Sequence, residues 1–174
     1  MGVESMDKLE KKLEEFSEYL KTIEHYRNVG SLMYWDMTIG MPENAAEGRA
    51  ETMSFMQMQA HNLSVSKEMH EFIKFFEKNE GKLDFVHKRM LHELKKNYEK
   101  EKIFPEEFIK EFSLAASRGQ LAWEKAKNED NFEIFKTDLE KIVELTKKSI
   151  KYKGYKGNKY NALLDDYEPG LTVE

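Results

Sequence analysis

The chain has 174 residues, 40% hydrophobic and 35% charged, and its 28 Lys and Arg against 33 Asp and Glu leave a net charge of −5. A chain of this length buries roughly 70% of the surface its unfolded form exposes, while mixed signs with a slight acidic excess argue against nucleic acid or an anionic membrane as a partner. The lack of cysteine excludes disulfides, thiolate metal sites and a cysteine nucleophile, and with no apolar run of signal-peptide or membrane-spanning length a cytoplasmic location is expected.

Met6, Leu9, Leu13, Phe16, Leu20 and Ile23 recur at intervals of three and four, which places all six on one stripe of a long amphipathic helix. Gly30 and Ser31 weaken that helix before the run Leu32-Met33-Tyr34-Trp35, whose apolar density predicts burial. Ile39-Gly40-Met41-Pro42 breaks the chain, because proline disfavours helical geometry at the residue before it. A second long helix is expected from Glu43 through Ala46, Arg49, Met53, Met56 and Met58 to about Leu63, its methionines serving as core filler. Ser66 then caps a third helix, with Glu68 in its first turn and Met69, Phe72, Ile73 and Phe76 inside. Asn79-Glu80-Gly81 reads as its stop.

Leu83, Val86, Met90, Leu94 and Tyr98 form the next stripe. Phe104-Pro105-Glu106-Glu107 opens another helix with proline in its first turn and acids at the positive end of the dipole; Phe108, Phe112, Ala115, Gly119, Trp123 and Ala126 make its inner face. The small residues Ala115, Ala116 and Gly119 let a neighbouring helix come close. Phe132, Phe135, Leu139, Ile142, Val143 and Ile150 mark one more helix, ended by Gly154 and Gly157. Asn161 is placed to cap a short helix through Leu164 to Tyr167, Pro169-Gly170 turns, and Thr172-Val173-Glu174 reads as an N-cap with an acidic first turn, a pattern that suggests truncation ahead of a further helix. No period-two strand pattern occurs.

The search for chemistry is largely negative. In H-E-x-x-H two histidines share a helix face and reach one zinc while the glutamate activates water. Here His70-Glu71 meets Lys74 where the second histidine belongs, and His92-Glu93 meets Lys96. An ammonium cannot serve as that ligand. His87 and His92 are five apart and point in different directions, and the five histidines are expected at the surface or at caps rather than on a metal. Asp84 with His87, and Asp165, Asp166 and Glu168, are the nearest approaches to an acid–base or metal cluster, and they read as a helix-surface pair and a solvated or packing turn. Neither G-x-S-x-G nor a P-loop is present.

Three stretches carry a resemblance. Leu32-Met33-Tyr34-Trp35-Asp36-Met37-Thr38-Ile39-Gly40-Met41-Pro42 followed by Ala45-Ala46-Glu47-Gly48-Arg49-Ala50-Glu51, then Ser117-Arg118-Gly119-Gln120-Leu121-Ala122-Trp123 with Asn131-Phe132-Glu133-Ile134-Phe135, and finally Tyr160-Asn161-Ala162-Leu163-Leu164-Asp165-Asp166-Tyr167-Glu168-Pro169-Gly170-Leu171-Thr172 are similar in order and spacing to motifs of the carboxypeptidase Taq family. Met37 and Asn161 stand where glutamine and aspartate are usual. The family's members are longer, largely helical metallocarboxypeptidases that remove single C-terminal residues from peptides with zinc or cobalt, usually as homodimers. The resemblance implies an all-α fold, a bundle of about six to eight mostly long antiparallel helices forming a single helical domain over 1–174, with the catalytic portion beyond Glu174.

On that basis no catalytic residue and no metal ligand can be carried onto this chain, and no cofactor is expected in it. Trp35, Asp36 and Arg49 are assigned a structural role, the tryptophan buried and the acid capping a helix or pairing with the arginine beside the Met41-Pro42 loop, with a groove-lining role as the alternative. The expected partners are the missing catalytic portion or a full-length carboxypeptidase, together with self-association through the apolar surface it would cover. A natural truncated paralogue acting as a binding or dimerisation module is the alternative function.

Overall fold

Apolar residues at alternating intervals of three and four force a helix to bury one stripe, and six such segments dominate the chain. The computed structural model describes residues 2–174 and contains, among them, no strand: α1 (Gly2–Ile39), α2 (Ala46–Ser64), α3 (Lys67–Lys78), α4 (Phe85–Glu101), α5 (Glu106–Asn128), α6 (Glu133–Lys153) and the four-residue α7 (Asn161–Leu164). The all-helical expectation holds. Contacts divide the chain into two compact units, one ending at Lys102 and the other running from Ile103 to Glu174.

In the first unit α1 is a continuous helix of 38 residues, on the order of 57 Å long at 1.5 Å per residue. Gly30 and Ser31 do not interrupt it. A lone glycine inside a helix costs only about 1 kcal/mol, Ser31 Oγ turns back to donate to the Arg27 carbonyl at 3.1 Å, and the inner seam continues past them through Met33 and Met37, both buried. Upstream the seam is built on Leu9, Phe16 and Ile23, which join Met69, Phe72, Ile73 and Phe76 of α3, with Leu83 and Leu91, in one core. Phe16 sits at its centre, its ring 5.1 Å from that of Phe72 and 5.3 Å from that of Phe76. Met6, assigned to the same stripe, is exposed because it lies beyond the reach of α3.

The α2–α3 junction is held by polar atoms. Ser66 Oγ accepts from the Met69 N–H at 2.9 Å, as an N-cap should, and lies 2.7 Å from the Tyr19 hydroxyl, which itself donates to the Leu63 carbonyl at 2.9 Å. Burial pushes the Tyr19 phenol above its ordinary pKa. One side chain of α1 thereby fixes where α2 stops and α3 starts. On α4, Asp84 caps the helix by accepting from the His87 N–H at 2.8 Å. The stripe here differs from expectation: Val86 is exposed with Phe85 in the first turn of α4, and Leu91 supplies the buried contact instead. Met90, Leu94 and Tyr98 lie at the core's edge as expected.

The second unit is a hairpin of α5 and α6. Pro105 takes the N-cap position, one residue before the first helical turn. Phe108, Ala115 and Leu145 form the core, with Phe104, Phe112, Ile142 and Tyr152 around it, and Phe108 stacks on Phe104 at 5.4 Å and meets Tyr152 edge to face at 5.1 Å. Trp123 is exposed, contrary to its assignment to the inner face of α5, and Phe132 and Val143 are exposed as well. Ser113, Ser117 and Gly119 are buried on α5. A Cβ built on Gly119 would stand 2.4 Å from Ile142 Cδ1, so the glycine makes room for the isoleucine. After α6, Gly154 at φ 68° gives the chain a left-handed step that side chains resist.

Beyond α7 the chain folds back on itself. Asn161 does not cap the short helix, since Tyr160 holds that position; its Oδ1 accepts from the Val173 N–H at 3.1 Å and its Nδ2 donates to Glu174 at 3.0 Å. An aspartate there has no donor to offer Glu174. Asp165 and Asp166 are used in packing the turn, the first accepting from the Gly170 N–H at 3.0 Å and the second paired with Lys153.

Ion pairs link neighbouring helices in each unit. Lys95 of α4 lies 2.6 Å from Glu77 of α3, and Lys141 of α6 lies 2.7 Å from Glu111 of α5 with Lys148 at 3.7 Å. Hydrogen bonds from Lys95 and Lys141 hold the Glu77 and Glu111 carboxyls below the usual glutamate value of 4.5. A carboxyl whose folded pKa is depressed binds its proton more readily when unfolded, so its contribution is complete above 4.5 and disappears as pH falls through and below that value.

Two predictions follow from this packing. Thermal melts between pH 6 and pH 3 should show a falling midpoint, and Glu77→Gln with Glu111→Gln should flatten that slope; equal slopes in parent and variant would remove the pairs from the account. In a double-mutant cycle, Gly119→Ala should cost about 1 kcal/mol more in the parent than in an Ile142→Val background, where the crowding methyl is gone. Urea titration of the four proteins measures this, and strict additivity would contradict the close approach.

Candidate functional site

The conspicuous local chemistry lies where α1 ends and α2 begins. Between Arg27 and Glu43 the sequence holds a single charged residue, Asp36, in a chain that is 35% charged. Its backbone carbonyl accepts from both Gly40 and Met41 N–H groups at 3.2 Å and closes the helix. The turn that follows is short: Ala45 N–H donates to the Pro42 carbonyl at 2.9 Å, a single 3-10 turn spans Glu43–Ala45, and α2 starts at Ala46 without a side-chain cap. This turn carries Arg49 back to Asp36, with Nη2 2.6 Å from Oδ2.

Of the two expected roles for Asp36, pairing with Arg49 is the one the geometry has, and helix capping by its side chain is not. Both side chains stay partly open to water, at 44% for Asp36 and 36% for Arg49, yet Asp36 Oδ2 and Arg49 Nε are themselves shut off from solvent without an aligned hydrogen bond. The attraction is therefore charge at contact distance rather than a two-pronged guanidinium bond.

Trp35 is not buried. Its exposure is 63%, with Leu32 at 67% and Ile39 at 62%, and Tyr34 is exposed as well, whereas only Met33 of the run Leu32 to Trp35 is covered. Helical geometry explains the error: residues 33 and 37 continue the seam of Phe16 and Ile23, and residues 32, 35 and 39 stand on the opposite side. Apolar density alone does not say which side of the helix is covered.

The histidines do not converge. His70 stacks against Tyr98 at 5.6 Å, His87 Nδ1 lies 2.8 Å from its helix-capping neighbour Asp84, and His25 and His92 are exposed. His61 departs from the expectation of a surface residue: it is buried on α2, with Nδ1 3.9 Å from Glu101, whose other oxygen lies 3.9 Å from Arg27. Among the described residues no three His, Asp or Glu side chains are grouped so as to hold a metal ion. The donors present do not fit a divalent cation, and no reaction step can be drawn through one here.

No described helix is long and apolar enough to cross a membrane. Comparison with known proteins turns the motif resemblance into a finding. The sequence profile of the carboxypeptidase Taq (M32) metallopeptidases matches residues 15–174. Carboxypeptidase 1 of Bacillus subtilis (strain 168) is 38% identical over 160 residues, which are 92% of this chain and 32% of the relative; thermostable carboxypeptidase 1 of Pyrococcus furiosus is 34% identical over 145 residues, 82% of this chain and 28% of the relative. A solved structure described as the BsuCP crystal structure superposes with a TM-score of 0.91 at 37% identity, over 94% of this chain and 33% of the other. The Pyrococcus furiosus carboxypeptidase structure, described as Apo-Mg, gives 0.67 at 29% identity, over 92% and 32%. The chain thus spans about a third of the length of the relatives it matches, and, on a profile covering nearly all its residues, it belongs to the carboxypeptidase Taq (M32) metallopeptidase family.

Proposed function

We propose that this chain is the N-terminal helical part of a metal-dependent carboxypeptidase that removes C-terminal residues from peptides, and that it is not catalytic by itself. The observation that carries the reading is the pairing of a family match over residues 15–174 with the lack, among the described residues, of any grouping of three metal-binding side chains. In the full-length family the resemblance implies zinc or cobalt, which would polarise a peptide carbonyl and lower the pKa of bound water. Those ligands belong to sequence outside the matched third.

Within this reading Asp36 and Arg49 are structural. Their ion pair spans the α1–α2 turn, next to the buried Ala50 and Met53 of α2. The exposed trio of Leu32, Trp35 and Ile39 supports a second reading, a short paralogue that acts as a binding or dimerisation module.

The purified chain, supplied with zinc or cobalt, should release no C-terminal residue from a blocked dipeptide and should retain no stoichiometric metal after dialysis; turnover that depends on either ion would overturn the proposal. Asp36→Ala should lower stability by about 1 kcal/mol, the modest value expected for a partly exposed pair. An unchanged melting midpoint would deny the pair its structural role.

A further inference from the structure

A lysine one helical turn from an acid is a common arrangement on this chain, as in Lys12 with Glu15, Lys21 with Glu18 and Lys102 with Glu99. The last turns of α6 and the loop after it depart from it. Residues 145–164 hold six lysines and no Asp or Glu, which leaves 22 Lys and Arg against 33 acids in the rest of the chain, a net charge of −11 there. Two of the six find acids outside the run: Lys148 lies 3.7 Å from Glu111 on α5, and Lys153 pairs with Asp166. The ammonium groups of Lys147, Lys151, Lys156 and Lys159 make no ion pair among the described residues, and all four side chains are exposed. Lys147 and Lys151 stand one turn apart on α6. Gly154 and Gly157, both at φ 68°, then turn the chain, and the segment that carries Lys156 and Lys159 also presents Tyr155 and Tyr160, exposed by 48% and 56%. Like charges gathered without counter-charges repel one another and attract negative charge from outside.

We propose that Lys147, Lys151, Lys156 and Lys159, with Tyr155 and Tyr160, form a docking surface for a short acidic peptide segment of another protein. The surface goes beyond the functional reading above and does not depend on it. Charge complementarity sets the sign of the occupant, and the extent of the run sets its size. Acids close the run at either end, Glu144 before it and Asp165 and Asp166 after it. Glu174 stands beside Gly157 and accepts a hydrogen bond from Asn161 at 3.0 Å. A nucleic acid strand carries its negative charge without a break and an anionic membrane presents it as a sheet, so either would meet these acids and the net −11 of the remaining chain. A few Asp or Glu side chains on a polypeptide need cover only the lysines. Their carboxylates accept from the ammonium groups, and the two phenols add hydroxyl donors and apolar ring area.

The probe is a short fluorescent oligoglutamate with an amidated C-terminus, titrated with the 174-residue chain and followed by anisotropy. Changing Lys147, Lys151, Lys156 and Lys159 together to Gln, a good helix former, should weaken binding about tenfold, as the loss of four exposed charge contacts requires. The control changes Lys8, Lys11, Lys88 and Lys96 to Gln, an equal loss of charge from exposed lysines outside the run, and should move the affinity less than about twofold, because charges farther away than a Debye length are screened. Arg at the four patch positions keeps the charge and should keep the affinity; melts that match the parent's show each variant to be folded. Salt near 1 M, where the Debye length is about 3 Å, should abolish binding. No binding by the parent, equal losses in the patch and control variants, or equal affinity for an oligoglutamine of the same length would overturn the proposal. Tighter binding of a single-stranded oligonucleotide or of phosphatidylserine vesicles, lost in the patch variant, would overturn it in favour of that occupant. Self-association that the patch variant abolishes would do the same in favour of a second copy.

Discussion

The first unit depends on a continuous stripe down α1. Leu9, Phe16 and Ile23 give the helix a reason to exist in water, because 38 residues of backbone gain little from propensity alone and need tertiary burial to stay ordered. Phe16, with the rings of Phe72 and Phe76 within 5.3 Å, seats α3 on that stripe. Tyr19, one turn along, bonds to Leu63 and Ser66 and sets the end of α2 and the beginning of α3. The apolar contact draws the helices together and the polar one fixes their register, a division of labour that follows from the non-directional character of the one and the directional character of the other.

The second unit solves a similar problem by approach rather than by bulk. Gly119 keeps α5 slim where α6 approaches it, and Ile142 fills the space left by the absent side chain. The aromatic group of Phe104, Phe108 and Tyr152 then closes the open end of the hairpin. Beyond α7, Asn161 reaches the last two residues through both ends of its amide, the nitrogen donating and the oxygen accepting, a combination an ionised aspartate lacks.

What the chain offers to chemistry is mainly a frame. Its histidines are each occupied or isolated: one stacked on tyrosine, one beside a helix-capping aspartate, one buried near Glu101, two in solvent. Its family, by contrast, is one of metallopeptidases. The outer face of α1 at Leu32, Trp35 and Ile39 is apolar and exposed.

Helix identity was largely decided by the sequence, because intervals of three and four between apolar residues report the period of the α-helix directly. The inner face Met69–Phe72–Ile73–Phe76 was legible in this way, the Ser66 cap and the break at Met41-Pro42 were legible from local cap and proline chemistry, the pairing of Asp36 with Arg49 was one of two alternatives the sequence left open, and the three motifs were enough to indicate the family. Which residues of a stripe are covered was not legible. Periodicity gives a face, but the reach of the neighbouring helix decides where that face stops, so Val86 and Trp123 were placed on the apolar stripes and stand outward while Leu91 and Leu145 were passed over and are buried. Trp35 shows the same limit most clearly: composition says that a side chain prefers to leave water, and only the arrangement of helices in space decides whether anything within the chain is there to receive it.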